Sequence, residues 1–252
     1  MSVPVVIALG GNLGDVRATG ESALAQLQET PGVEVELLSH WYSTEPVGCE
    51  GGFLNAAARL QSELTPSQLL NRMSEIETEH GRQRTGHWTP RPIDLDLILF
   101  GQWQIVHPQL KVPHPAAWSR RFVLDPVCEV AGQLVHPSFE MTFEALRARL
   151  MTRPLAVSWA GELPRDAVVA GKIHDRFGSQ VSWVDSQADH VARIVPMSDS
   201  GLRPFEIPVP NDLAEARRII NDMFTAMLDE PFIVSTQPAL MPVLTPVEKW
   251  KP

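Results

Sequence analysis

The chain has little cysteine: Cys49 and Cys128 are the two it carries. Neither their spacing nor a neighbouring His suggests a zinc site, and free thiols suit a reducing compartment. Positive charge is also scarce. Lys and Arg total 21 against 30 Asp and Glu, giving a formal net charge of -9. That balance excludes a general nucleic-acid binder, which must neutralise phosphates with Lys and Arg, but it allows a local basic site for one nucleotide. Long apolar runs are lacking too, since no charge-free apolar stretch reaches the ~18 residues of a membrane span. The apolar run Val3 to Leu9 is broken by Pro4, stops at Gly10 and has no basic flank, so it reads as neither a signal peptide nor a span. A soluble cytoplasmic protein with no membrane and no nucleic-acid partner is expected. No internal repeat is found.

Apolar material, by contrast, is ample. Hydrophobic residues make up 44 % and charged residues 20 % of 252 positions, enough for a packed core in one large or two small domains. Val3 to Leu9, bounded by Gly10-Gly11-Asn12, predicts a buried strand and a turn. Residues 16–29 predict a helix, 33–42 a strand, 43–52 a loop and 53–64 a strand. Thr65 as cap and Pro66 at the first helical position open a helix to His80, which Gly81 ends. Residues 81–92 read as a polar, mobile loop and 93–100 as a strand. The order β-α-β-β-α-β is that of a ferredoxin-like α+β fold, an antiparallel sheet with helices on one face. After it come a proline-punctuated stretch over 107–130 and a helix over 139–150.

The character of the chain changes near residues 151–154, which divides it into a domain 1–154 and a small α/β region 155–252. The second region shows short strands at 156–159, 180–184 and 191–195, and a helix over 213–228 that Asn211 or Asp212 can cap. An extended tail over 238–252 follows. This region has no phosphate-binding G-x-x-x-x-G-K-[ST] loop and no metal-ligand cluster. Its expected role is stability or assembly, including self-association. His174, Asp175 and Asp185 read as solvated surface.

The chemistry concentrates in His87-Trp88-Thr89-Pro90-Arg91-Pro92-Ile93-Asp94-Leu95-Asp96-Leu97-Ile98. Asp94 and Asp96 are two apart on a strand and share a face, while Leu95 and Leu97 point the other way. Two adjacent carboxylates repel, and a divalent cation between them removes that cost. Hard oxygen ligands beside a phosphate-bearing partner suit Mg²⁺. A D-x-D alone would look the same on an acidic, solvated strand. Arg82, Arg84 and Arg91 just before it strengthen the metal reading, because guanidinium groups match phosphate oxygens bidentately. Trp88 could stack on a flat ring or simply pack. His114, after Pro113, could donate to a phosphate. Asn55 could read the edge of a heterocycle or cap a turn.

With these residues in view, the chain resembles the 6-hydroxymethyl-7,8-dihydropterin pyrophosphokinase family from Ile7 to about Leu150. The resemblance rests on ordered blocks: Ala8-Leu9-Gly10-Gly11-Asn12-Leu13-Gly14, Tyr42-Ser43-Thr44-Glu45-Pro46-Val47-Gly48 and Phe53-Leu54-Asn55-Ala56-Ala57. It continues through Ile76-Glu77, Gly81-Arg82-Gln83-Arg84, the run Arg91 to Phe100, and Val112-Pro113-His114 with Arg120 and Phe122. It implies transfer of a diphosphate from ATP to the pterin hydroxymethyl group, releasing AMP, in folate biosynthesis. Two Mg²⁺ ions on Asp94 and Asp96 would be required, with Arg82 and Arg91 stabilising the transferring group. The resemblance further assigns Arg84, Trp88, Leu97, His114 and Arg120 to ATP. It assigns Thr44, Val47, Phe53, Asn55 and Phe122 to the pterin, and Glu77 to support of the site.

The chain departs from the family pattern at Thr89, Glu45, Phe53 and Pro115, none of them a metal ligand. Two other functions fit less of the sequence. A non-catalytic binding module would not need Asp94, Asp96 and Arg82, and a nucleotidyltransferase with the same acids leaves Phe53, Asn55 and Phe122 without a role.

Overall fold

The computed structural model describes residues 1–44, 52–82, 90–160, 173–185, 188–197, 204–210 and 212–234. The central sheet is antiparallel. Strand β1 (Val3–Gly11) lies between β4 (Phe53–Ser62) and β5 (Asp94–Phe100), and β2 (Val33–Leu38) and β3 (Tyr42–Thr44) both pair with β4. Helix α1 (Val16–Gln28) starts at Asp15, whose carboxylate accepts the Ala18 amide at 3.0 Å. Helix α2 (Pro66–Glu79) starts with a reciprocal box in which Thr65 and Gln68 satisfy each other's backbone amides. It stops where Gly81 turns to φ 83°, a conformation glycine adopts without strain.

The apolar periods set the layers. Leu24 and Leu27 of α1 and Leu69 and Ile76 of α2 are fully buried against Val5, Ile7 and Leu9 of β1. Each such Leu or Ile is stabilised by about 1.5–3 kcal/mol. The opposite face of the sheet, with Val6 and Ala8, is covered by α3 (Arg121–Ala131) and then α4 (Phe143–Met151). The expectation of helices on one face therefore describes α1 and α2 alone. Helix α3 went unread because Pro126 sits inside it and prolines punctuate its approach. Two short ribbons were also unread, β6 (Ile105–His107) with β7 (Leu110–Val112), and β8 (Val135–His136) with β9 (Met141–Thr142).

Two boundaries differ from the reading for local reasons. The strand expected over 33–42 is interrupted where buried Ser39 accepts the Ala57 amide through its hydroxyl at 2.9 Å. The helix expected from residue 139 begins at Phe143, capped by Thr142, because Phe139 belongs to an aromatic group with Trp118 and Phe205.

Beyond α4 a parallel sheet forms in the order β11 (Val181–Trp183), β10 (Leu155–Trp159), β12 (Ala192–Pro196), β13 (Glu206–Val209). The helix Leu213–Leu228 is capped by Asp212, and the other expected cap, Asn211, lies outside the described residues. Strand β14 (Phe232–Ile233) then returns to the first sheet and pairs with β3. One apolar core runs from Val6 and Val127 through Leu146 and Leu155 to Ile194 and Phe224. Among the described residues no helix is long and apolar enough to cross a membrane. The tail expected over 238–252 lies outside the described residues.

Candidate active site

The middle strand carries the site. Gly10 of β1 is registered between Asn55 of β4 and Asp94 of β5, and one pleat further on Ala8 lies between Ala57 and Asp96. Asn55, Asp94 and Asp96 therefore project from one face of three adjacent strands. The small residues between them keep that floor low. A Cβ at Gly10 would stand 3.1 Å from Asn55 Oδ1. Asn55 is buried and its Nδ2 donates to Thr44 Oγ1 at 2.9 Å, which fixes the amide's orientation.

Arginines surround the acids. Arg82 donates to both Asp94 and Glu77. Arg91 Nη1 lies 2.9 Å from Asp94 Oδ2, and its guanidinium sits 6.0 Å from the Phe53 ring centre. Glu77 is buried and also accepts the Leu95 amide at 2.7 Å, so it ties α2, Arg82 and the acidic strand together. Burial, and next the charge of Asp96, raise the Asp94 pKa despite the pull of Arg91 and Arg82. Two carboxylates on one face of a strand suit a cation held with its other ligands from phosphate and water.

Arg120 caps α3 and lies 5.7 Å from the Phe122 ring centre. Burial lowers its pKa, while the charges of Asp96 and Asp94 oppose that shift. His114 Nδ1 accepts the Ala116 amide at 3.2 Å, leaving the ring proton on Nε2. Burial and then Arg120 push its pKa down to about 4, so it is neutral at neutral pH.

The structure thus brings together Thr44, Asn55, Asp94, Asp96, Arg82, Arg91, Phe53 and Glu77, with Arg120, Phe122 and His114 alongside. Leu97 is not among them: it packs with Leu95 in the core beneath α1 and α2, on the other face of β5 from the acids. Its adenine contact rests on the resemblance alone. Val47, Arg84 and Trp88 lie outside the described residues, as do Glu45 and Thr89. His174, Asp175 and Asp185 are exposed, as expected.

The sequence reading gave no roles to Gly11 and Asn12. A Cβ at Gly11 would stand 2.6 Å from the Pro92 carbonyl oxygen. Asn12 Oδ1 accepts the Arg91 amide at 2.9 Å, and its own amide donates to the Arg91 carbonyl at 3.1 Å. The Gly-Gly-Asn turn therefore holds the root of the arginine loop, and its position at the end of a buried strand was the available signal.

A recognition amide, a carboxylate pair and phosphate-matching guanidiniums on one floor define a site equipped for group transfer from a nucleotide. Comparison with known proteins names the family. The model of the 7,8-dihydro-6-hydroxymethylpterin-pyrophosphokinase family matches residues 6–132, and the chain belongs to that family. The 2-amino-4-hydroxy-6-hydroxymethyldihydropteridine pyrophosphokinase of Bacillus subtilis is 42 % identical over 130 residues, 51 % of this chain and 78 % of that protein. The enzyme of the same name from Synechocystis is 39 % identical over 133 residues, 52 % of this chain and 68 % of its own. That of Pseudomonas aeruginosa is 37 % identical over 146 residues, 57 % of this chain and 90 % of its own.

Proposed function

We propose that this protein transfers a diphosphate group from ATP to the hydroxymethyl group of 6-hydroxymethyl-7,8-dihydropterin, giving AMP and the pterin diphosphate, in folate biosynthesis. Family membership supports the reading, and the row Asn55–Gly10–Asp94 carries it. That row sets a heterocycle-reading amide one strand away from the acid, so the alcohol of a bound pterin meets the phosphate end of the nucleotide. Asp94 and Asp96 would hold two Mg²⁺ ions, which when bound neutralise phosphate charge and favour loss of the hydroxyl proton.

The other roles belong to the chain's own groups. Asn55, fixed by Thr44, offers both donor and acceptor to the pterin edge, with the Phe53 and Phe122 rings supplying flat faces. Arg82 and Arg91 donate to the transferring group, where charge shifts as the bond to AMP breaks. Glu77 aims Arg82, and Asn12 aims Arg91. Neutral His114 offers Nε2–H to a phosphate, and Arg120 adds charge beside it. Val47, Arg84 and Trp88 are retained as pterin and ATP contacts on the resemblance alone.

We further read the antiparallel β-α-β-β-α-β path as ferredoxin-like. The change from an antiparallel to a parallel sheet at Leu155 supports a unit 1–154 followed by a unit 155–252. A cytoplasmic setting agrees with the free thiol of Cys128. Exposed Phe232 and Ile233 on an edge strand support self-association through the second unit.

Incubation with ATP, Mg²⁺ and hydroxymethyldihydropterin tests the proposal. AMP should form only when the pterin is present. AMP released without the pterin, or no AMP at all, refutes it.

A further inference from the structure

Strand β14 reaches the Asn55 side of the site from outside the family-matched region, which ends at residue 132. It pairs with β3 on the edge opposite β4, setting Phe232 against Ser43 and Ile233 against Tyr42. One step on, the Val234 amide donates to the Trp41 carbonyl at 3.0 Å. Without β14, β3 would be a three-residue edge strand paired on one side. Yet β3 ends on Thr44, which is registered opposite Phe53 and accepts Asn55 Nδ2 at 2.9 Å on its hydroxyl. The direction of the Asn55 amide therefore depends on where β3 lies.

What precedes β14 holds it in place. Phe224 and Met227 of the helix Leu213–Leu228 are fully buried in the core shared by the two sheets. Asp229, Glu230 and Pro231 alone separate that helix from β14, a link that spans at most about 14 Å when extended. Pro231 locks one backbone dihedral and restricts Glu230 before it, so the link is stiff as well as short. The Phe232 and Ile233 side chains are 63 % and 47 % exposed, so apolar burial contributes little and the backbone carries the pairing. Helix α3 holds the start of the same segment through Glu129, which accepts the His40 amide at 2.8 Å and the Tyr42 hydroxyl. Nearer Thr44 the segment relies on its sheet neighbours, β4 and β14.

We propose that β14 is a positioning element for the pterin half of the site: by pairing along β3 it holds Thr44, and through Thr44 the Asn55 amide, in the orientation that reads the heterocycle. The proposal rests on the pterin reading above and gives the chain beyond residue 132 a part in substrate recognition. Asp94 and Asp96 lie on β5, with β4 and β1 between β3 and that strand. Loss of the β14 pairing therefore reaches the pterin and leaves the acids as they were.

Proline at the donor position makes the test, with the full chain throughout. Val234→Pro removes the amide that bonds the Trp41 carbonyl. It should raise the pterin KM by about threefold or more, with the ATP KM held within about twofold. The amides of residues 42–44 should exchange with deuterium about threefold faster or more. Val234→Ala, which keeps the donor, should match the parent in both readings. Phe232→Thr removes an exposed ring and keeps the backbone, and it should match the parent too. An equal rise in pterin KM for Phe232→Thr overturns the proposal, because the side chain and not the pairing would be at work. Unchanged pterin KM in Val234→Pro, or an equal rise in both KM values, also overturns it. If Val234→Pro fails to fold, Pro231→Gly decides: freeing the link should raise the pterin KM alone by about twofold or more, and no rise overturns the proposal. AMP formation by the parent tests the pterin reading itself, and the exchange arm needs no turnover, so the two failures are read apart.

Discussion

Gly10 is the position where a single methyl group tests the whole site. It lies between the Asn55 amide, proposed to read the pterin, and the first acid, and a Cβ there would come 3.1 Å from Asn55 Oδ1. Ordinary contact begins near 3.4 Å, so Gly10→Ala forces the amide to move by a few tenths of an ångström. Asn55 can yield only by loosening its 2.9 Å bond to Thr44 Oγ1, since it is otherwise buried in β4. Such a bond contributes about 0.5–1.5 kcal/mol net. At ~1.4 kcal/mol per tenfold, the variant should raise the pterin KM by about 2- to 12-fold. The ATP KM should stay within about twofold, because no ATP contact is touched. Steady-state assay of AMP formation, varying each substrate in turn, reads the effect. A fall in kcat at unchanged pterin KM would refute the argument, since the methyl group would then be acting on the acids. So would a Gly10→Ala enzyme indistinguishable from the parent.

Three more outcomes follow from the geometry. Asp96→Asn should abolish AMP formation while the melting temperature stays within a few degrees, as seen by calorimetry, because Asp96 lies on an open floor and the core below it is untouched. Glu77→Ala should cost about 1–3 kcal/mol in urea unfolding, because it leaves the buried Leu95 amide unsatisfied while Arg82 keeps Asp94. A cost under ~1 kcal/mol would remove Glu77 from its supporting role. Burial pushes the His136 pKa down to about 4 from 6.5, so the unfolded chain binds a proton at higher pH than the folded one. Stability should fall by up to ~3 kcal/mol as pH drops from 6.5 to 4. His136→Asn should flatten that part of the profile, and an unchanged slope would show that other groups carry it.

The sheet and its two lower helices were legible because each is written in local terms. Alternation marks β2, the Thr65-Pro66 start marks α2, and Gly81 marks its end. The acidic pair was legible for the same reason, since two residues on one strand must share a face. Helix α3 was hidden by Pro126, which breaks the usual pattern without breaking the helix. The parallel order of β10 to β13 could not be read because each crossover places partners far apart in sequence. Strand β14, two exposed apolar residues, carries no periodic signal at all. The assignment of Leu97 to ATP came from the resemblance alone.

The single apolar core that joins Val127 and Leu146 to Ile194 and Phe224 has a consequence for how the molecule comes apart. Among the described residues the antiparallel and parallel sheets share one buried apolar cluster, so both should lose order in one cooperative transition. A small molecule gripping the floor around Asn55 would then slow deuterium uptake by the amides of β10 and β12, well away from anything it touches.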